Sequence, residues 1–256
     1  MLLCIDIGNT NIKLGLFEGE SMYRHWRITT DRARLADEYA MLLLNLFAAE
    51  GIKTSQITGC AISSVVPGLT PAFGELVQRY FKINPLIIGP NTVTGIEIHT
   101  EIPAEVGVDL VMNAVGARSL YGTPVIVIGF GTATTFVAVS AAGDLEGVAI
   151  APGVATSGDS LFRATATLPQ VALTRPETAI GKNTVHSLRA GFVFGFGGLV
   201  ERLVGRMRAE LGGSAHVVAT GGLANLIAPE TGVVDAIEPN LALIGLRLVY
   251  SLQLPE

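Results

Sequence analysis

Cysteine is nearly missing from this chain: only Cys4 and Cys60 occur. Both lie in apolar, β-rich runs. That excludes a disulfide scaffold or a cysteine metal centre, and they read as small buried hydrophobes in a reducing cytosol. Basic runs are missing too. A net charge of −5 and a pI of about 5.4 argue against nucleic acid as a partner. No stretch supplies the roughly 20 uninterrupted apolar residues that a spanning helix needs; the nearest candidate, residues 187–204, is broken by Arg189, Glu201 and glycines. A secretory signal is not expected, because Asp6 interrupts the first apolar run and no basic region precedes it. His25, His99, His186 and His216 have no ligand-like spacing, and no low-complexity linker divides the chain. The expectation is a cytoplasmic protein without membrane or nucleic-acid partners.

What is abundant is apolar residue: 49% of the 256 residues, enough for a large core in one large domain or two of average size. Residues 2–7 and 12–17 are apolar and β-rich around GNTN, which predicts a hairpin. A helix is expected over 35–51, stopped by Gly51, then a buried strand at 57–66, a helix over 69–82 and a short strand at 85–89. DLVMNAVGARSLYG (109–122) reads as a helix. At Pro124 the pattern restarts with VIVIG, a tight turn, TFVAVS and GVAIAPG. SGDSLFRATATLP, the long stretch 183–211, GGLANLIAP and NLALIGLRLVYSLQ read as helices, and HVVAT (216–220) as a strand. Mixed α/β halves therefore occur twice, which places the domains at 1–118 and 119–256.

Each half opens on a strand, a turn rich in Gly and Thr, and a second strand. Such turns suit phosphate: glycines let backbone N–H groups approach an anion, and hydroxyls add donors. The first turn carries Asp6 before Gly8-Asn9-Thr10, and a carboxylate there can hold Mg2+ that bridges phosphates. The second, Gly129-Phe130-Gly131-Thr132, has glycine where the first has its acid. A strand that delivers Thr220-Gly221-Gly222 into a helix start is a third place for a nucleotide. GFGTAT is not a Rossmann fingerprint, because β-like TFVAVS follows it. IGKNT is not a P-loop, because Asn follows Lys182 and the upstream glycine is absent.

The run of motifs IDIGNTNIKLGLF, SSVVPGL, PAEVGVDLVMNAVGA, GFGTATTF, AIAPGV, TATLP, IGKNT, ATGGLANLI and LIGLRLVY resembles, in one order along nearly the whole chain, the type III pantothenate kinases of the acetate kinase/Hsp70/actin superfamily. The resemblance implies an α/β fold of two actin-like (ribonuclease H-like) lobes with a nucleotide cleft between them. It implies phosphorylation of pantothenate with ATP, the first step towards coenzyme A. It also implies Mg2+, a monovalent cation such as K+ or NH4+, and a homodimer. Carried over residue by residue, Asp6, Ile7, Gly8, Asn9, Thr10, Asn11, Ile12 and Lys13 form the ATP phosphate loop, with Asp6 positioning Mg2+. Thr132 contacts ATP. Gly107, Val108, Asp109 and Leu110 line the substrate side, with Asp109 as the base that accepts the pantothenate hydroxyl proton. Thr184 contacts pantothenate. On residue chemistry alone Asp109 and Thr184 read equally as helix-start residues, and Gly221 and Gly222 as a plain strand-to-helix turn.

The chain departs from the family pattern in several places. The family acid that binds the monovalent cation is Gly129 here, so that site is expected to be weakened or lost. The Arg after the catalytic Asp is Leu110, and an alkyl chain does not replace a guanidinium. Val137 stands for an Asp, Thr100 and Ile102 for Tyr and Asn, and Val148 for a Gly. The departures leave three readings open: a kinase with an altered cation or substrate requirement, a non-catalytic binding or regulatory paralogue, or another enzyme of the superfamily such as a phosphatase.

Overall fold

The computed structural model describes residues 1–254. The chain forms two compact units. The first unit starts with β1 (Leu2–Ile7), β2 (Asn11–Glu18), β3 (Ser21–Thr29), α1 (Ala36–Ala49), β4 (Gly59–Ser64), α2 (Thr70–Leu76) and β5 (Leu86–Ile87). A wider helical turn, Val77–Phe81, extends α2. Helix α3 (Val108–Tyr121) leads out of this unit. The second unit contains β6 (Val125–Phe130), β7 (Ala133–Val139), β8 (Leu145–Pro152), α4 (Val154–Ala164), α5 (Thr184–Glu210), β9 (His216–Gly221), α6 (Ala224–Ile227) and β10 (Ala236–Ile237). Helix α7 (Leu241–Leu252) then returns to the first unit from Ala242 onward. The main break, Gly116/Ala117, lies two residues from the expected cut at 118/119, and residues 97–101 group with the second unit.

Both sheets have one topology. In the first, the strand order is β3-β2-β1-β4-β5, and in the second β8-β7-β6-β9-β10. In each, the first three strands in chain order run antiparallel and the two later ones parallel to the first. This is an α/β fold with a repeated ribonuclease H-like sheet. Paired apolar, β-rich runs joined by tight turns rich in Gly and Thr explain the antiparallel hairpins.

Strand faces alternate, and residues opposite one another in register share a face. On one face of the first sheet Leu3, Ile5, Ile7, Ile12, Leu14, Leu16, Cys60 and Ile62 form a core with α1 and α2. Helix α1 buries Tyr39, Ala40, Leu43 and Phe47, the spacing of one helical stripe. The opposite face carries Gly15 and Gly59, and α7 lies close to it: Cβ atoms added at those glycines would touch Leu243 and Tyr250. Helix α7 also crosses α3 at Gly245, where a Cβ would overlap the Met112 carbonyl. A glycine is needed there, and the close crossing fixes the helix that carries Asp109.

Three local readings differ from the sequence expectation. Strand β3 extends the first hairpin. It is an edge strand whose exposed Arg24, His25 and Arg27 discourage further pairing, while Trp26 and Ile28 pack on the core. Helix α4 stops at Ala164, so TATLP is not helical; Pro169 disfavours helical backbone at the residue before it. Helix α6 is only four residues, Ala224–Ile227, and passes into a tight turn that contains Pro229. Among the described residues no helix is long and apolar enough to cross a membrane.

Candidate active site

In the first unit the β1–β2 turn is closed by the Gly8 N–H, which donates to the Asn11 carbonyl (3.1 Å). Asn9 and Thr10 are exposed at its tip. The segment after β3 braces it. The Thr30 hydroxyl donates to the Gly8 carbonyl (2.7 Å), and the Thr30 N–H to the Thr10 carbonyl (3.0 Å). Ile7 and Ile12, opposite one another in register, belong to the hydrophobic core, so they position the turn rather than face a ligand.

Register places a polar row behind this turn: Lys13 on β2, Asp6 on β1 and Ser63 on β4 stand side by side on one face. The Ser63 hydroxyl donates to Asp6 Oδ1 (2.8 Å). Burial pushes the Asp6 carboxyl above its ordinary value, although the Lys13 charge and the Ser63 hydrogen bond pull the other way. Ser63 is fully buried. It lies inside SSVVPGL but had no role from sequence, because its partner is 57 residues away.

Asp109 is in the first turn of α3 and half-buried. Burial raises its carboxyl above the ordinary value, and the nearby Asp6 charge adds to the rise; hydrogen bonds from the Leu110 and Asp109 backbones and the Lys13 charge oppose it. The Leu110 N–H donates to Asp109 Oδ1 (3.0 Å). Asp109 does not cap α3, because the Gly107 carbonyl accepts from Leu110 and Val111 (2.9 and 3.2 Å). Val108 starts the helix and Leu110 is buried. The Asp6 and Lys13 charges thus both act on Asp109, and all three residues belong to one unit. Among the described residues no three His, Cys, Asp or Glu side chains form a metal cluster. Asp6 suits the one or two carboxylates by which Mg2+ is held together with phosphates.

In the second unit Gly129 occupies the Asp6 position of the repeated sheet. Its neighbours in register are Thr135 on β7 and Thr220 on β9. Thr220 is buried, and among the described residues its Oγ1 has no hydrogen-bond partner. A Cβ added at Gly129 would lie 2.6 Å from Thr135 Oγ1. Val137 is buried between Val127 and Val148 in register, so two of the sequence departures form one apolar patch. Thr132 is exposed at the turn, where its carbonyl accepts from the Thr156 hydroxyl (2.8 Å). Gly153, at the start of α4, is pressed against the same turn: an added Cβ would lie 2.6 Å from the Gly131 carbonyl oxygen and nearer still to that of Thr132.

Thr184 is exposed at the first residue of α5. It is not the cap, since Asn183 Oδ1 accepts from the His186 N–H (2.9 Å). That frees Thr184 from the helix-capping explanation. A cavity of about 280 Å³ lies in this unit, lined by Phe162, Leu173, Leu188, Phe192 and Leu223 among others. Cys4 and Cys60 are buried free thiols, both pushed well above the ordinary thiol value by burial.

Comparison with known proteins adds to this geometry. The family model for "Type III pantothenate kinase" matches residues 2–206. A type III pantothenate kinase of Roseiflexus sp. (strain RS-1) is 54% identical over 98% of this chain and 99% of its own length. One from Moorella thermoacetica is 50% identical over 98% of both chains. Among solved structures, the activator of the 2-hydroxyisocaproyl-CoA dehydratase from Clostridium difficile with bound ADPNP shares the fold, with a TM-score of 0.55 at 12% identity over 98% of this chain and 96% of that one.

Proposed function

The chain belongs to the type III pantothenate kinase family, and we propose that it transfers the γ-phosphoryl group of ATP to the hydroxyl of pantothenate, yielding 4'-phosphopantothenate and ADP, the first step of coenzyme A biosynthesis. The observation that supports a working site is a pair of carboxylates in one unit: Asp6, just before the Gly8–Asn11 turn and held by the Ser63 hydroxyl, and Asp109 in the first turn of α3, where the Asp6 charge acts on it.

Asp109 is the general base. A carboxylate with an elevated pKa takes a proton more readily at neutral pH than an ordinary one. The hydroxyl oxygen attacks the γ-phosphorus, the bond to the β–γ bridging oxygen breaks, and the hydroxyl proton passes to Asp109 Oδ. The segment Asp6–Lys13 presents its exposed tip, Asn9 and Thr10, to the phosphates, with the Lys13 ammonium as a cation. Asp6 helps hold Mg2+, which offsets phosphate charge when bound. Thr132 contacts ATP, and the adenine ring occupies the apolar cavity beside Leu223. Gly107, Val108, Leu110 and Thr184 face pantothenate. With glycine at 129, the monovalent cation has only backbone and the Thr135 and Thr220 hydroxyls to bind, so turnover has little dependence on K+ or NH4+. The protein acts in the cytoplasm as a homodimer, with neither membrane nor nucleic acid as partner.

The test is to incubate the protein with ATP, Mg2+ and pantothenate and identify products by mass. Phosphopantothenate with matching ADP supports the reading. ATP hydrolysis without it, or no reaction, overturns it.

A further inference from the structure

The β1–β2 turn has a cationic neighbour that no motif marks. Arg32, in the loop between β3 and α1, donates from a guanidinium nitrogen to Asn9 Oδ1 across 23 residues (2.9 Å). An exposed arginine costs side-chain entropy to hold in place, so such a contact requires a loop fixed in advance. This loop is fixed. Tyr39, fully buried, accepts from the Asp31 N–H (2.8 Å) and donates to the Asp31 carbonyl (2.9 Å). The Ala33 N–H donates to Asp31 Oδ1 (3.0 Å). Thr30 holds the carbonyls of Gly8 and Thr10, which turns two oxygens that would repel phosphate toward protein donors. Among the described residues Arg32 has no carboxylate at ion-pair distance, and Asn9 is its one hydrogen-bond partner. The guanidinium is therefore stationed at the exposed tip of the turn with most of its donors unspent.

We propose that Arg32 is a polyphosphate-binding residue, an arm set by Asn9 at the Gly8–Asn11 turn that pairs with the phosphate chain of ATP. This rests on the turn being the phosphate site. The site carries two carboxylates besides the phosphates, so a second cation beside Lys13 has clear electrostatic use. A planar guanidinium also matches phosphate oxygens in a bidentate way that an ammonium cannot.

The experiment compares wild type, Arg32→Ala and Arg32→Lys by KM for Mg2+·ATP and for pantothenate at low and high salt. Thermal stability with and without Mg2+·ATP is measured alongside. Arg32→Ala is expected to raise the KM for ATP about tenfold at low salt, with the KM for pantothenate within about twofold and melting unchanged without ATP. Lys at 32 recovers part of the loss, and the gap narrows at high salt through screening. A merely structural arginine would not give an ATP-selective, salt-sensitive effect. An ATP KM within about twofold of wild type, or equal rises for both substrates, overturns the proposal. If wild type does not phosphorylate pantothenate, the functional reading fails separately. The ATP concentration at half-maximal thermal shift then decides: higher in Arg32→Ala supports the arm, equal overturns it, and no shift of wild type at about 10 mM ATP overturns both.

Discussion

The two sheets share a strand order and contrast most clearly in one polar row of side chains. Lys13–Asp6–Ser63 crosses the first sheet where Thr135–Gly129–Thr220 crosses the second. In the first row a buried carboxylate is satisfied by a hydroxyl and balanced by an ammonium. In the second the acid is missing, and the Thr220 hydroxyl is left with no hydrogen-bond partner among the described residues. One backbone device thus serves two electrostatic settings, one charged and one neutral. The fold is kept by apolar alternation on the other face, so the polar row is free to change without loss of the sheet.

The largest effect is expected on the charged side. Asp109→Asn should lower turnover by roughly 10²–10⁴, the usual contribution of a general base. The same change removes a carboxylate that burial and Asp6 both disfavour, so the melting temperature should hold or rise. A loss of turnover accompanied by unfolding would mean that Asp109 is structural.

Gly153→Ala comes next. The added methyl meets the carbonyls of the second turn, and overpacking of this kind costs about 1–3 kcal/mol. Denaturant unfolding measures it. An unchanged midpoint would show that the second turn yields more easily than its packing indicates.

A pH series sharpens the contrast further. Asp6 and Asp109 are both raised, so the folded state holds their protons more tightly than the unfolded state does. Their contribution to stability is fully present below the unfolded carboxylate pKa and is lost as pH rises through the folded values. The melting temperature of the ligand-free protein, relative to Asp109→Asn, should therefore fall as pH rises from about 4 through the mildly acidic range. A relative melting temperature that rises over that window would reverse the sign and remove the argument.

Gly129→Asp has the smallest effect on stability. Thr135 must swing its hydroxyl away from the new Cβ, but the added carboxylate gains Thr135 and Thr220 as donors. Stability should change by less than about 1 kcal/mol, while turnover becomes responsive to K+. A variant that folds and stays indifferent to K+ would show that position 129 is not the cation site.

Much of this was legible in sequence where the signal is local. The two hairpins follow from paired apolar, β-rich runs around turns rich in Gly and Thr, and α1, α3 and α5 from helical patterning. Asp6, Gly8–Thr10, Asp109 and the lack of acid at Gly129 could be read from the turns and motifs. What could not be read depends on distant partners. Ser63 reaches Asp6 across 57 residues, and Arg32 reaches Asn9 across 23. Helix α7 follows from its apolar pattern, but its place in the first unit rests on close approaches between residues distant in sequence, Leu243 at Gly15, Tyr250 at Gly59 and Gly245 at Met112. Strand β3 gives little signal in sequence because its exposed charges, proper to an edge, mask the alternation of Trp26 and Ile28.

The measurement that tests the account most directly is the initial rate of phosphopantothenate formation by wild-type protein with saturating Mg2+·ATP, titrated from no added K+ to about 100 mM at constant ionic strength. The account predicts product throughout and a rate that is flat within about twofold. A rate that is near zero without K+ and climbs steeply with it would contradict the claim that the neutral row at Gly129 has given up its cation.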